Sequence, residues 1–279
     1  MTRMIDLHVH TTASDGTFTP SDAVLLAKKA GLAAMAITDH DTVDGVDEAV
    51  IKAKEVGVEL VPGIEISVGN TDNIHIIGLY IDHKNDGLLR TVNILSQNRT
   101  ERNKKIIENI RNEGYDISYE KIQTVMHAKN IARLHIAHYM QKTGMVSDYR
   151  KVFKRFLIPG TKTYVPRENV SEEAGIKAIL ESGGIPVLAH INYLKESDEE
   201  TEKTVKRLID YGLKGIEVFY SGYDKRTEFL AHQISEKYNL LKSGGTDFHG
   251  TRRPGVYLGT GRGNLCVPYE FLVDIKKML

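Results

Sequence analysis

The 279 residues predict an α/β fold with a mostly parallel sheet or barrel, interrupted by a helical insertion. Two observations carry this. At both ends of the chain short apolar runs alternate with helical patterns, which requires crossover connections and parallel strands. Between them, residues 85–159 lose that rhythm and read as polar, basic and helical. A chain of this length fits one α/β domain with such an insertion. The division expected is a barrel-forming part, 1–84 plus 160–279, and a second, helical part, 85–159, acting as a cap.

The elements follow in order. Ile5 to Val9 reads as a strand. Thr19-Pro20 supplies an N-cap and a proline at the first helical position, and Gly31 stops that helix. Leu32 to Thr38 is the next strand, Val43 to Val56 a helix, and Val58 to Ile66 and Ile74 to Tyr80 two further strands. The insertion opens on a long helix carrying Arg90, Arg99, Arg102, Lys104, Lys105 and Arg111. Gly114 and Gly144 punctuate it, and it holds no convincing strand. The alternation resumes near Ser171 with a helix to Glu181, a stop at Gly183-Gly184 and the strand Ile185 to Ala189. Leu213 to Phe219 and Leu240 to Ser243 are two more strands with a helix between them, and Tyr269 to Met278 is a closing helix. Gly259-Thr-Gly261-Arg-Gly263 lacks the following helix and acidic partner of a dinucleotide loop and reads as a turn.

Composition narrows the function classes. Lys plus Arg equals Asp plus Glu at 37 each, which excludes a global basic field for a long polyanion while leaving room for a local basic patch. The single cysteine, Cys266, excludes an intramolecular disulfide; it fits a reducing cytoplasm and reads as a small core residue. The N-terminus has no signal-peptide pattern, and no apolar run approaches the ~20 residues that span a bilayer. A cytoplasmic location with no membrane association is expected.

The chemistry lies at strand ends. His8-Val9-His10 closes the first strand, and Asp247-Phe248-His249 answers it near the other end of the chain. Residues i and i+2 of a strand share a face, so each pair can converge on one point. Asp15, His40, Glu65, His75 and His190 complete the set. His8, His10, His40, Glu65, His190, Asp247 and His249 obey the rule that functional residues gather at the carboxyl ends of parallel strands, whereas His75 sits early in its apolar run. A lone histidine is more often structural than a ligand; nine ligand-type residues placed alike point to metal. Imidazoles and carboxylates without thiolates suit Zn²⁺, Mn²⁺ or Fe. Nine donors are too many for one ion and suit two or three, with Glu65 able to bridge. Clustered divalent cations neutralise a phosphate ester, generate hydroxide near neutral pH and stabilise transition-state oxygens. His83, His127, His138 and His232 read as surface or packing residues.

Together the segments His8-Val-His10, Thr11-Thr12-Ala13-Ser14-Asp15-Gly16, Thr38-Asp39-His40-Asp41, Pro62-Gly63-Ile64-Glu65, His75-Ile-Ile-Gly78, Leu188-Ala189-His190 and Gly245-Thr246-Asp247-Phe248-His249-Gly250 resemble the ordered motifs of the PHP (polymerase and histidinol phosphatase) family. The resemblance implies a distorted (β/α)7 barrel and a trinuclear centre that hydrolyses phosphate esters. It implies one ion on His8, His10, Glu65 and Asp247, a second on Glu65, His75 and His190, and a third on Asp15, His40 and His249, with a bridging hydroxide attacking phosphorus in line.

The insertion is similar to that of stand-alone phosphoesterases of the family acting on nucleotides, through Arg99 with Arg102, Ala132-Arg133-Leu134-His135-Ile136-Ala137 and Lys162-Thr163-Tyr164-Val165-Pro166. This chain has Leu134 where proline is usual there, and Ile191 after Ala189-His190 where proline is usual. A nucleoside 3′,5′-bisphosphate or a short 5′-phosphorylated RNA or DNA is then the implied substrate. The alternatives are a histidinol-phosphate phosphatase and a non-catalytic metal-binding module. Arg133 suits a second phosphate through its bidentate fork, with His135 beside it; both could instead cap a helix. Arg99 and Arg102 either contact substrate or form a solvated face, and Tyr164 stacks or packs. Arg252 and Arg253 either touch the phosphate or are solvated loop charges.

Overall fold

The computed structural model describes residues 3–69, 73–126 and 131–279. Chain contacts divide it into two compact units, residues 1–92 with 170–279, and residues 93–169.

The larger unit begins with β1 (Met4–Asp6), α1 (Pro20–Lys29), β2 (Ala34–Ile37), α2 (Val46–Val56), β3 (Glu59–Val68) and β4 (Ile74–Leu79). Thr19 caps α1 by accepting from the Asp22 N–H, Pro20 stands at its first position, and Gly31 takes the left-handed conformation after it. The helix α3 (Asp86–Asn112) begins in this unit and continues into the smaller one, where α4 (Tyr119–Met126), α5 (Arg133–Lys142), α6 (Tyr149–Val152) and a π-helical turn over Phe153–Leu157 follow. After α7 (Glu172–Glu181) come β5 (Ile185–Leu188), α8 (Asp198–Asp210), β6 (Gly215–Tyr220), α9 (Lys225–Lys237), β7 (Leu241–Gly245), β8 (Val267–Pro268) and α10 (Tyr269–Lys276).

The eight strands form one mixed sheet in the order β7-β6-β5-β4-β3-β2-β1-β8. It nearly closes. Beyond Asp6 the chain pairs with the segment leaving β7: the Leu7 N–H donates to Gly244 O at 3.1 Å, and the His10 N–H to Phe248 O at 2.9 Å. Four strand pairs are parallel, as the βα alternation requires, but β4 runs antiparallel to both β3 and β5, and β8 antiparallel to β1. The cause is the connection: only residues 69–73 separate β3 from β4, too few for a parallel crossover. The barrel expected from the resemblance is therefore an eight-stranded mixed sheet.

Two apolar clusters of this unit position the site, among the described residues. One gathers Ile5, Leu7, Ala36, Val61, Ile77, Leu79 and Val187 with Leu272 and Ile275 of α10; the other packs α1 and α2 through Ala23, Val24, Ala27, Ala49 and Ala53 against Met35 and Ile37. The smaller unit has a core of its own in Ile106, Ile110, Ile122, Ile136, Met140, Val152 and Phe156.

Three minor expectations resolve here. Cys266 is exposed rather than in the core: it lies just before β8, and its neighbours Leu265 and Val267 are the buried ones. His83 donates to Asp47, and His138 and His232 lie against the rings of Tyr149 and Phe219. His127 lies outside the described residues. The glycine segment near 260 is a turn, closed by the Tyr257–Gly261 bridge.

Candidate metal centre

Each ligand-type residue reaches the cluster for a local reason. The chain that leaves β1 alternates, so His8 and His10 point inward around Val9, and their Nε2 atoms stand 3.1 Å apart. Two imidazole lone pairs facing each other at that distance repel unless a proton or a cation lies between them. Glu65, on β3, is fully buried and bridges its neighbours: Oε1 lies 3.0 Å from His75 Nδ1 and 2.9 Å from His190 Nε2, and Oε2 lies 2.8 Å from His40 Nδ1. The reversal of β4 explains His75. Its strand starts at the same end of the sheet at which the parallel strands finish, and it pairs with Ser67 in register.

His190 follows β5 with φ 26°, and Asp247 follows β7 with φ 53°. Both are left-handed conformations that cost a non-glycine residue on the order of 1–3 kcal/mol, strain that concentrates at functional sites. His249 Nε2 lies 3.1 Å from Asp15 Oδ1.

All nine sequence-identified residues meet in four overlapping groups whose donor atoms lie within 4.8 Å of one another: His8, His10 and Glu65; His8, His190 and Asp247; His40, Glu65 and His75; and His10, Asp15, His40 and His249. His10 and His40 thus stand in more than one group, and His190 stands with Asp247 as well as near Glu65.

The electrostatics fit cations. Among the described residues, buried side-chain atoms without a hydrogen-bond partner include His10 Nδ1, His40 Nδ1, His190 Nδ1 and Glu65 Oε2. The 2.8 Å approach of His40 to Glu65 therefore lies outside hydrogen-bonding geometry. Burial would push the Glu65 carboxyl up, but the charges of His40, His75 and His8 hold it well below its ordinary range. Asp247 and Asp15 are held low against burial in the same way, by His8 and by His249. Burial opposes protonation of His10, yet the carboxylates of Asp247 and Glu65 beside it lift it to about 10; His8 is raised by Glu217, Glu65 and Asp247. His40 is lowered by burial and by the neighbouring His10. Divalent ions binding here would compete with protons for these imidazoles and carboxylates.

A supporting layer lies behind these residues, and sequence reasoning passed over most of it. Glu217 of β6 is fully buried; His8 Nδ1–H donates to its Oε1 at 2.9 Å, and the His190 N–H donates to its Oε2 at 2.7 Å. Tyr223 accepts the Ile191 N–H at 2.8 Å. Asp39 accepts from the Thr11 N–H and hydroxyl, both at 2.7 Å, and from Ser14, holding the loop that presents Asp15. Asp6 accepts from the Thr246 N–H and hydroxyl and the Gly259 N–H. Arg253 pairs with the Asp247 carboxylate, and the Tyr220 hydroxyl donates to Asp247 Oδ2 at 2.9 Å.

The other sequence candidates fall as follows. Arg252 donates to the Asp15 carbonyl at 2.5 Å and is half-buried. In the smaller unit, His135 Nδ1 accepts the Ala132 N–H at 2.9 Å, which is the helix-capping reading, and Arg133 donates to Leu157 O at 3.1 Å. Lys162 pairs with Glu113 at 2.6 Å. Arg102 is buried, donates to Val165 O at 2.8 Å and lies over the Tyr164 ring at 5.5 Å, so it is no solvated charge. Arg99 is half-buried on α3.

Comparison with known proteins agrees with this arrangement. The PHP domain family matches residues 6–217. The chain is 32% identical over 250 residues to a 5′-3′ exoribonuclease of Haemophilus influenzae, covering 89% of this chain and 91% of the relative. It is 30% identical over 259 residues to a 3′,5′-nucleoside bisphosphate phosphatase of Chromobacterium violaceum, covering 91% and 90%. The crystal structure of a Bifidobacterium adolescentis protein, assigned as a metal-dependent phosphoesterase, superposes with a TM-score of 0.86 at 27% identity, covering 99% of this chain and 96% of that one. The matches extend through the insertion as well as the sheet, and the chain belongs to the PHP domain family.

Proposed function

We propose that the protein is a metal-dependent phosphoesterase that removes a terminal phosphate or nucleotide from a small nucleotide substrate, a nucleoside 3′,5′-bisphosphate or a short 5′-phosphorylated oligonucleotide. The observation that carries the proposal is the convergence of nine imidazole and carboxylate side chains, several with buried, unpartnered donor atoms. The names of the exoribonuclease and bisphosphate phosphatase relatives support the substrate class.

His8, His10, Asp15, His40, Glu65, His75, His190, Asp247 and His249 would hold two or three divalent ions, Mn, Fe or Zn. Such ions supply charge neutralisation to a phosphate ester and acidify bound water. The chain's own residues do the rest. Glu65 draws three histidines together, Asp247 is fixed by Arg253 and Tyr220, and Glu217 holds His8 with Nδ1–H donated and Nε2 turned to the cluster. Arg252, beside Asp15, would meet a phosphate oxygen in this reading. We assign the insertion, with Arg99, Arg133, His135, Lys162 and Tyr164, to recognition of the rest of the nucleotide. A phosphate taken by Lys162 would replace Glu113 as its partner.

The test is metal analysis of protein purified without chelator, with phosphate release across nucleoside bisphosphates, 5′-phosphorylated dinucleotides and histidinol phosphate. Fewer than two ions per chain refutes the multinuclear centre. Turnover of histidinol phosphate alone refutes the nucleotide assignment, and no turnover with metals bound leaves a binding module.

A further inference from the structure

The zero formal charge of the chain conceals a split. Residues 93–169 hold 15 Lys and Arg against 7 Asp and Glu, a formal charge of +8, and the remaining residues hold 22 against 30, a charge of −8. The boundary is that of the two compact units, so each carries its own field. Four of the seven acids in the smaller unit are already tied to bases of that unit: Glu101 to Lys104 at 3.1 Å, Glu113 to Lys162 at 2.6 Å, Asp116 to Lys121 at 2.6 Å and Asp148 to Arg150 at 2.9 Å.

The excess is displayed most openly along α6 and the π-helical turn that continues it. Val152, Phe156 and Leu157 are buried in the unit's core, whereas Arg150, Lys151, Lys154 and Arg155 are all exposed. Lys151 and Arg155 are four residues apart, a spacing at which like charges on a helix repel by roughly 0.2–0.5 kcal/mol. An anion laid along the strip relieves that repulsion. The Arg155 guanidinium also lies over the Tyr115 ring, 5.8 Å from its centroid, which puts a half-buried aromatic among the charges.

From this segregation we infer that the insertion is a binding surface for the sugar-phosphate backbone of a single-stranded oligonucleotide, so that substrates several nucleotides long are preferred to a nucleoside bisphosphate. The identity of the polyanion rests on the phosphoesterase reading; the surface rests on charge and exposure alone. Repeated phosphates gain from a field of +8, whereas a mononucleotide meets only a small part of it. Single strands bind to basic surfaces interleaved with aromatic rings. An anionic membrane fits less well, since a membrane-bound helix needs an exposed apolar face beside its basic one, and here Val152, Phe156 and Leu157 point inward.

The experiment uses the full-length, metal-loaded protein and 5′-phosphorylated RNA and DNA from about two to about ten nucleotides long, titrated at several salt concentrations. KM is expected to fall with length. The logarithm of affinity should fall linearly with that of salt, with a slope of about −0.7 per phosphate contacted. Lys151→Glu with Lys154→Glu should raise KM for the longest substrate about tenfold or more and leave turnover of a nucleoside bisphosphate unchanged; the Lys→Gln pair should act in the same direction and less. RNA and DNA responding alike identifies the shared backbone as the ligand, and a response to neither overturns the inference. Affinity independent of length and salt overturns it, as does tighter binding to phosphatidylserine vesicles than to oligonucleotide. Should no substrate be turned over, the phosphoesterase reading fails, while fluorescence anisotropy of a labelled oligonucleotide against salt still decides whether the surface binds it.

Discussion

Replacing Glu217 by glutamine should lower metal affinity without unfolding the protein. The carboxylate accepts two hydrogen bonds on separate oxygens, from His8 Nδ1 at 2.9 Å and from the His190 N–H at 2.7 Å. A glutamine of the same shape has one accepting oxygen. If that oxygen keeps His190, the amide NH2 faces His8, whose Nδ1 must then accept; the proton moves to Nε2, the atom directed at His10. If the oxygen keeps His8, an N–H confronts an N–H at His190, whose backbone is already strained at φ 26°. Either way one charge-assisted bond is lost, worth about 1.5–3 kcal/mol. That corresponds to roughly ten- to a hundredfold in metal affinity, at about 1.4 kcal/mol per tenfold, and matches the usual effect of removing the carboxylate behind a metal-bound histidine. The assay is calorimetric titration of the chelator-stripped protein with Mn²⁺ and Zn²⁺, alongside circular dichroism to establish folding. A Glu217→Gln protein that binds metal as tightly as the parent would refute the reasoning.

Three further outcomes are expected. Asp247→Ala should abolish phosphate release and, by leaving Arg253 and Tyr220 without their partner, lower stability too; Asp247→Asn should separate these effects by losing activity while keeping more of the melting temperature. Gly245→Ala should destabilise by about 1–3 kcal/mol, seen in denaturant unfolding, because its Cβ would stand 2.4 Å from His8 Cβ and 2.5 Å from His8 N; a neutral effect would show that the closing strands have slack. Glu59→Gln should cost about 1 kcal/mol at neutral pH. Burial pushes the Glu59 carboxyl up, but hydrogen bonds from Lys276 and Tyr269 hold it below its ordinary value, so its contribution is present above about pH 4.3 and disappears as pH falls through the lowered value. Parent and variant melting curves should therefore converge in acid.

Much of the sheet was legible because its physics is local. Thr19-Pro20, Gly31, Ser171 and Gly183 mark helix ends by capping and left-handed geometry, and each acts there. The direction of β4 was not legible, since apolar periodicity is the same read either way along a strand. The clue was the connection, five residues between β3 and β4 with no helical pattern. The same omission made His75 look misplaced. Cys266 was misjudged because residue type stood in for facing; its neighbours Leu265 and Val267 are the buried ones.

The donors themselves were legible because their chemistry is narrow. Few side chains bind hard or borderline cations, and parallel strands deliver them at one end, so type and position agree for most of the set, His75 on its antiparallel strand being the exception. The residues behind them satisfy a looser requirement. Glu217 lies within an apolar strand between Ile216 and Val218, where a carboxylate is costly unless paired; its partners are a ring nitrogen and an amide far away in the chain, and only the fold brings them near. Asp6 and Asp39 follow the same logic, each accepting backbone N–H groups from distant loops. The charge split was partly legible, since residues 85–159 already read as basic; the whole-chain balance conceals it, and contacts set its bounds at 93 and 169, where +8 stands against −8. In this chain a buried acid inside an apolar strand and a charge excess confined to one unit carry the same lesson, since each gains its meaning only from the residues that folding sets beside it.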